Sequence, residues 1–194
     1  MYSDDHTASL TRTWAEAVIR QVARVRDLRA KASLELWQYD RMEEWSPSQE
    51  EVGQTFREQW AEEHALVWAA VQLQRWTLRL ARELVDDATR ERIKVKLDAS
   101  KDPTLTDLRN ALEHLDEADL GDFYATAKGK FSANRSLRRL PGEELQLYLG
   151  GSHSAFGHIS PEALERRAQK VLEALDAESD AYTAYLVEEY LRDQ

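Results

Sequence analysis

Apolar positions in the first part of the chain recur at steps of three and four residues, the spacing that places side chains on one stripe of an α-helix. Two such stripes predict two long helices separated by Ser46-Pro47, the first ending near Trp45 and the second starting beside the proline. The first stripe consists of Leu10, Trp14, Val18, Val22, Val25, Leu28, Ala32 and Leu36. The second includes Val52, Phe56, Trp60, Val67 and Val71. All six tryptophans precede position 80, so we expect this helix pair to form the thickest part of the core.

Two proline-containing signals predict the starts of further helices. Asp102-Pro103 places a proline in a first helical turn, where no amide donor is lost, and this third helix is predicted to run to about Leu120. Ser160-Pro161 is followed by an acidic residue, as is typical of a helix start, and the last helix is predicted to continue close to Gln194. Between them the helical period disappears. Ser136–Leu140 and Glu144–Leu149, on either side of a Pro-Gly pair, predict a short β-hairpin.

Composition supports a mainly all-α fold. Hydrophobic residues make up 42% and charged residues 32% of the 194 positions, with only 7 Gly and 4 Pro, a balance that suits amphipathic helices better than a turn-rich β-sandwich. We expect one helical-bundle domain over residues 1–194, with a hairpin and loop insertion at about 128–159. The absence of cysteine excludes disulfides and thiolate chemistry. The polar, acidic first residues and the lack of a long apolar stretch predict a cytoplasmic protein that does not enter the membrane.

Charge is unevenly distributed along the chain. The formal net charge of −10 is the wrong sign for general electrostatic attraction to nucleic acid. No acidic residue lies between Asp122 and Glu143, however, and this stretch contains Lys128, Lys130, Arg135, Arg138 and Arg139. These five residues form a local cationic strip that could hold a phosphate backbone. The alternative is that they form an ordinary solvated face.

The third predicted helix carries the most chemically suggestive segment, Arg109-Asn110-Ala111-Leu112-Glu113-His114, called the Arg109–His114 motif below. On a helical wheel its leucines cluster on one side, while Arg109, Asn110, Glu113 and His114 fall on the other. Asn110 and His114 are neighbours at i,i+4. Because an arginine and a histidine open to water make a poor active site, a second surface would have to cover them.

The Arg109–His114 motif resembles the signature of the HEPN superfamily, which is an arginine, often followed by a polar residue such as asparagine, and a histidine a few positions later on a helix. HEPN proteins are helical and include metal-independent RNA endonucleases of toxin-antitoxin and antiviral systems. The resemblance implies a homodimer in which the motifs of two chains face each other. It also implies an RNA substrate and a neutralising antitoxin or defence-system partner.

The residue types suit RNA cleavage without a metal or other cofactor. RNA supplies its own nucleophile, the 2′-hydroxyl, so a cleft needs a proton acceptor or donor near neutral pH and a cation beside the phosphate. His114 is the candidate for proton transfer. Arg109 is the candidate for phosphate binding, since its planar fork can hold two oxygens. Asn110 would orient the imidazole or the phosphate, and the product would carry a 2′,3′-cyclic phosphate.

Simpler interpretations compete with this hypothesis. Arg109 can pair with Glu113 and His114 with Glu117, so the motif could be a solvated helix face. A di-metal carboxylate bundle is disfavoured, because alanine rather than glutamate lies three residues before both His64 and His114. We therefore interpret His64 as a boundary residue of the second helix.

The remaining alternatives concern function more broadly. The loop with His153 and His158 matches no phosphate-binding pattern, and its role stays open. A catalytically silent module that binds a nucleotide, RNA or a protein partner is the main rival to the nuclease hypothesis. A purely structural oligomerisation domain is a third possibility.

Overall fold

Four α-helices make up most of the described part of the chain, which confirms the mainly all-α prediction. The computed structural model describes residues 2–42, 45–83, 102–127, 135–149 and 155–192. The helices are α1 (Tyr2–Arg41), α2 (Gln49–Glu83), α3 (Pro103–Glu113) and α4 (Pro161–Arg192). Among the described helices, none combines the length and the apolar character needed to cross a membrane.

The two long helices α1 and α2 pack against each other along much of their length, and α4 packs on α1. The buried residues between them are mostly small or aliphatic, including Ala15, Val18, Val22, Leu66, Val67 and Ala70. The helix pair contributes much of the core, as predicted, and Trp14 and Trp60 pack against it. Trp37, Trp45 and Trp68, by contrast, are exposed. Small side chains let the helix axes approach closely, and bulky rings then lie at the margins of the interface. Trp60, half-buried, packs edge to face against the buried ring of Phe156 at 4.8 Å.

The turn before α2 explains why the Ser46-Pro47 break was predictable. The backbone N–H of Glu51 donates to Ser48 Oγ at 3.3 Å, and the Glu51 carboxylate accepts from the backbone N–H of Ser48 at 2.7 Å. This reciprocal capping box satisfies donors that the helix start would otherwise leave unpaired. These hydrogen bonds from Ser48 also lower the pKa of the Glu51 carboxyl.

Helix α3 begins where predicted but ends earlier than predicted. The Asp102 carboxylate caps the start by accepting from the backbone N–H of Leu105 at 3.1 Å. The helix stops at Glu113, and His114 leaves the helical conformation with φ −114° and ψ 29°. A single 3-10 turn, Leu115–Glu117, then leads directly into a strand. The predicted extension to Leu120 is wrong because residues 118–120 form their hydrogen bonds across a sheet.

That sheet has three short antiparallel strands, β1 (Ala118–Leu120), β2 (Tyr124–Ala127) and β3 (Glu144–Gln146), in the order β1-β2-β3. The predicted strand at 136–140 is wrong, because residues 137–139 form a 3-10 turn that buries Leu137 in the core. The predicted second strand is confirmed at its start, since β3 begins at Glu144. The small sheet thus begins before the expected 128–159 insertion.

Helix α4 begins and ends as the sequence predicts. Ser160 Oγ accepts from the backbone N–H of Ala163 at 3.3 Å, Pro161 occupies the first turn, and the helix continues to Arg192. Just before it, Ala155 and Ile159 form an isolated bridge around the buried Phe156. Residues 150–154, including His153 of the predicted loop, lie outside the described residues.

A buried ion pair joins the two long helices. Arg29 of α1 lies 2.6 Å from the Glu63 carboxylate of α2, and the two side chains are 17% and 0% exposed. Gln59 donates to the same carboxylate at 3.4 Å and to the backbone carbonyl of Leu149 at 3.2 Å. Burial raises the pKa of the Glu63 carboxyl, although Arg29 and Gln59 oppose this rise. The contact therefore ties α1, α2 and the segment after β3 together at one point.

Candidate functional site

Arg109 lies on the flank of α3 that faces α2, and its side chain is only 18% exposed. Its Nη1 donates to the side-chain oxygen of Asn110 at 2.6 Å, and its Nη2 lies 2.9 Å from the Glu113 carboxylate. The guanidinium carbon is 5.3 Å from the centre of the Trp68 ring, within the range of a cation–π contact. The Nε atom is buried and makes no hydrogen bond. Arg109 is therefore held in one orientation from three sides.

Arg109 is more enclosed than the wheel predicts, whereas Glu113 is exposed, as predicted. The wheel separates the apolar stripe of α3 from its opposite face but does not show which neighbours cover the flanks. Here α2 packs beside α3, and Trp68 covers the flank that carries Arg109. The long stem of an arginine can lie along such a groove with its charged end at the edge.

His114 lies at the carboxyl end of α3, and its side chain is 58% exposed, as predicted. Its Nδ1 atom is 3.1 Å from the Glu117 carboxylate of the following 3-10 turn. Because a carboxylate accepts hydrogen bonds, this contact favours the hydrogen on Nδ1 and places the lone pair of the neutral ring on Nε2. The end of the helix thus presents an imidazole oriented by an acidic residue three positions away.

An apolar surface follows His114 along the chain. Leu120 and Phe123 of the β1–β2 region are 63% and 59% exposed, and Phe123 packs edge to face against the exposed Tyr148 at 6.2 Å. These three side chains are called the sheet patch below. Exposed apolar side chains grouped in this way are typical of surfaces that a partner covers.

His64 of α2 belongs to the same neighbourhood, which the sequence did not indicate. Burial lowers the pKa of His64 below its ordinary value of 6.5, and the nearby carboxylate of Glu113 opposes this shift. Glu113 therefore influences two groups, the guanidinium of Arg109 directly and the imidazole of His64 through its charge. His64 and Glu113 lie near each other because α2 packs beside α3. The spacing of residues along a single helix does not predict such a contact.

Replacing Glu113 by glutamine is expected to lower the pKa of His64 further, because only the opposing negative charge is removed. NMR titration of the His64 ring measures this directly. Since the folded-state pKa is already depressed, the neutral imidazole stabilises the fold above about pH 6.5, and that contribution is lost as the pH falls. Glu113→Gln should deepen this loss on acidification.

The matched control for this titration is Glu117→Gln, which removes a carboxylate from His114 rather than from His64. It should leave the His64 pKa within experimental error of the unmodified protein. Equal His64 titration curves for all three proteins would show that Glu113 does not act on this imidazole.

The predicted cationic strip is only partly described. Arg135, Arg138 and Arg139 lie in and beside the 3-10 turn that packs on α3, whereas Lys128 and Lys130 lie outside the described residues. Arg139 is 3.6 Å from Asp107 of α3. Asp107 is two residues from Arg109, so about 200° of helical rotation separates them. The structure therefore brings the basic turn to α3, but on the flank away from Arg109.

His158 of the predicted loop has a structural partner. His158 Nε2 lies 2.8 Å from the backbone carbonyl of Glu144, which ties the segment before α4 to the start of β3. Within the described ranges, no group of three or more histidine, aspartate or glutamate side chains has the arrangement of a metal site.

Comparison of the chain with models of protein families, with curated proteins and with solved structures gave no match.

Proposed function

We propose that the protein is a metal-independent RNA endonuclease that acts as a homodimer, with His114, Arg109 and Asn110 of both chains at a shared cleft. The main support is the oriented imidazole at the end of α3, where Glu117 contacts Nδ1 at 3.1 Å. The similarity of the Arg109–His114 motif to the HEPN signature supports the same assignment.

The proposed reaction uses the 2′-hydroxyl of RNA as nucleophile. Nε2 of one His114 accepts the 2′-hydroxyl proton while the 2′-oxygen forms a bond to the adjacent phosphorus. The bond from phosphorus to the 5′-oxygen of the next nucleotide breaks, and that oxygen takes a proton from the protonated His114 of the second chain. The products are a 2′,3′-cyclic phosphate and a free 5′-hydroxyl.

Arg109 would stabilise the charge that develops on the phosphate oxygens. Asn110 holds Nη1 in place, and an incoming phosphate would compete with the Glu113 carboxylate for Nη2. The basic residues Arg135, Arg138, Arg139, Lys128 and Lys130 are proposed to hold more distant parts of the RNA backbone.

The direct test is to incubate purified protein with end-labelled RNA in EDTA. Cleavage with a cyclic phosphate at the new 3′ end is the expected result, and identification of the ends by phosphatase and kinase treatment distinguishes it from a contaminating hydrolase. RNA that remains intact over a wide range of sequences and structures would overturn the nuclease proposal.

The sheet patch is the proposed dimer contact nearest to His114. Leu120→Glu is expected to weaken self-association by about tenfold or more, because a carboxylate buried without a partner costs more than a tenfold change in affinity. Sedimentation velocity measures the association, and RNA cleavage should fall with it. Leu191→Glu is the control, since Leu191 is exposed to the same degree, 65% against 63%, but lies near the end of α4. Equal association of both variants would place the dimer contact elsewhere.

A catalytically silent RNA-binding module is the second candidate. It is favoured by the contacts of Arg109, whose guanidinium already pairs with Glu113 and packs on Trp68, as a structural arginine would. The two functions differ in one readout. A module binds the labelled RNA in EDTA and leaves its length unchanged.

Proposed partners and location follow from the same assignment. A nuclease of this type would need a neutralising protein or a defence assembly to restrain it. A cytoplasmic location is proposed on the same grounds, since cellular RNA is found there.

A further inference from the structure

A cavity of about 400 Å³ lies between α1, α2 and the segment that follows β3. Its volume falls in the range of small-molecule sites. The apolar part of the wall includes Leu36, Trp37, Phe56 and Tyr148. The polar part includes Arg29, Glu35 and Gln59. The cavity is distinct from the Arg109–His114 motif, because no residue of α3 is among those that line it.

The polar wall includes Glu35, one of whose carboxylate oxygens lacks a donor. Glu35 Oε1 is 3.7 Å from the ammonium of Lys31, but Glu35 Oε2 is buried and accepts no hydrogen bond. Glu63, fully buried behind Arg29 and Gln59, likewise has one oxygen, Oε2, without a hydrogen bond. Buried polar atoms without partners are rare and costly in folded proteins. Glu35 lines the cavity and Glu63 lies behind its wall, so the unpaired oxygen of Glu35 indicates that a donor belongs beside it.

The charge of the wall determines which kind of hydrogen-bond donor would bind in the cavity. The guanidinium of Arg29 is offset by Glu63 at 2.6 Å. Glu35 and Asp40, both lining residues, add negative charge that Lys31, at 3.7 Å from Glu35, offsets in part, so the wall favours a cation over an anion. The aromatic wall already accepts a cation at one point, where the Arg41 guanidinium carbon lies 4.5 Å from the centre of the Trp37 ring.

The geometry points to a binding site for a small organic cation, an ammonium or guanidinium carried on an apolar or aromatic body. The charged group donates to Glu35, and the body packs against Phe56 and Tyr148. This site shares Tyr148 with the sheet patch, but it contains no residue of the Arg109–His114 motif and its test does not use RNA.

The test uses three probes of nearly the same shape, namely phenethylamine, phenethyl alcohol and 3-phenylpropionate. Isothermal titration calorimetry and saturation-transfer NMR with the full chain should show binding of the amine at millimolar concentrations or below. The neutral and anionic probes should bind at least about tenfold more weakly, since they lack the charge-assisted hydrogen bond. Equal binding of the three probes, or no binding of the amine, would overturn the proposal.

Glu35→Gln tests the assignment within the protein. It should weaken amine binding by about tenfold, because one carboxylate of the wall becomes neutral. The matched control is Glu58→Gln, which removes a carboxylate that also pairs with Lys31, at 3.8 Å, but does not line the cavity. Equal affinity losses in the two variants would show that the amine responds to general surface charge and not to this site. A cavity-filling variant, Ala32→Phe, should abolish amine binding while the protein stays folded by circular dichroism.

Discussion

His114→Ala is expected to lower the rate of RNA cleavage in EDTA by about 10²–10⁴-fold, the usual contribution of a positioned general acid or base. The imidazole is more than half exposed and lies at the end of α3, so its removal should leave the fold intact. Circular dichroism and the urea midpoint check that the loss is chemical. RNA affinity, measured by gel shift at the same time, should change little, since the proposed role concerns proton transfer.

The control for this experiment is His6→Ala, which removes an exposed histidine of α1 far along the sequence from the motif. Its cleavage rate should match that of the unmodified protein. A His114→Ala protein that cleaves at the same rate as His6→Ala would exclude His114 from the chemistry. Glu117→Gln should give a smaller reduction, because it removes the negative charge beside Nδ1 and leaves the imidazole in place.

Arg29→Met should be the most destabilising substitution among the described ion pairs, with a loss of about 3–5 kcal/mol in the free energy of unfolding. The Glu63 carboxylate is fully buried, and without Arg29 its charge would remain unpaired between two helices. Urea denaturation at neutral pH measures the loss. Because burial raises the pKa of Glu63, the folded state favours the protonated carboxyl, and stability from this group is lost as the pH rises through the folded-state pKa. Removing Arg29 should therefore make unfolding easier toward neutral pH than under mildly acidic conditions.

Two further variants separate burial from charge. Arg26→Met breaks the pair with Glu165 at 2.8 Å, but Arg26 is largely exposed, so a loss below about 1 kcal/mol is expected. Adding Glu63→Leu to Arg29→Met should restore part of the lost stability, since no charge is then left buried. Similar losses for Arg26→Met and Arg29→Met would contradict a special role for the buried pair.

The helix starts could be predicted because they depend on local hydrogen bonds. Asp102 and Ser160 each accept from a backbone N–H three residues ahead, and Ser48 and Glu51 bond reciprocally. Such contacts are encoded within one turn of sequence. The end of α3 was not predictable in this way. Residues 118–120 form a strand because they pair with β2, which in turn pairs with β3. The spacing of apolar residues in the helix does not predict either pairing.

The candidate site could be predicted in part. The sequence located Arg109, Asn110 and His114 and the exposure of the imidazole. It did not indicate that Trp68 covers Arg109 or that Glu113 acts on His64, because both depend on how α2 lies against α3. The sequence likewise did not predict the cavity beside Glu35. It combines residues of two helices with Tyr148 and Leu149, which the order of the chain separates widely.

The length of α1 has a consequence for motion. Its 40 residues span about 60 Å, yet the fully buried side chains of this helix stop at Val25. Beyond Val25 the remaining turns are held largely by their own backbone hydrogen bonds and by side contacts such as Arg29 with Glu63. The free energy of local opening should therefore fall along the helix toward Arg41, so that the outer half exchanges its amide hydrogens without waiting for the whole protein to unfold.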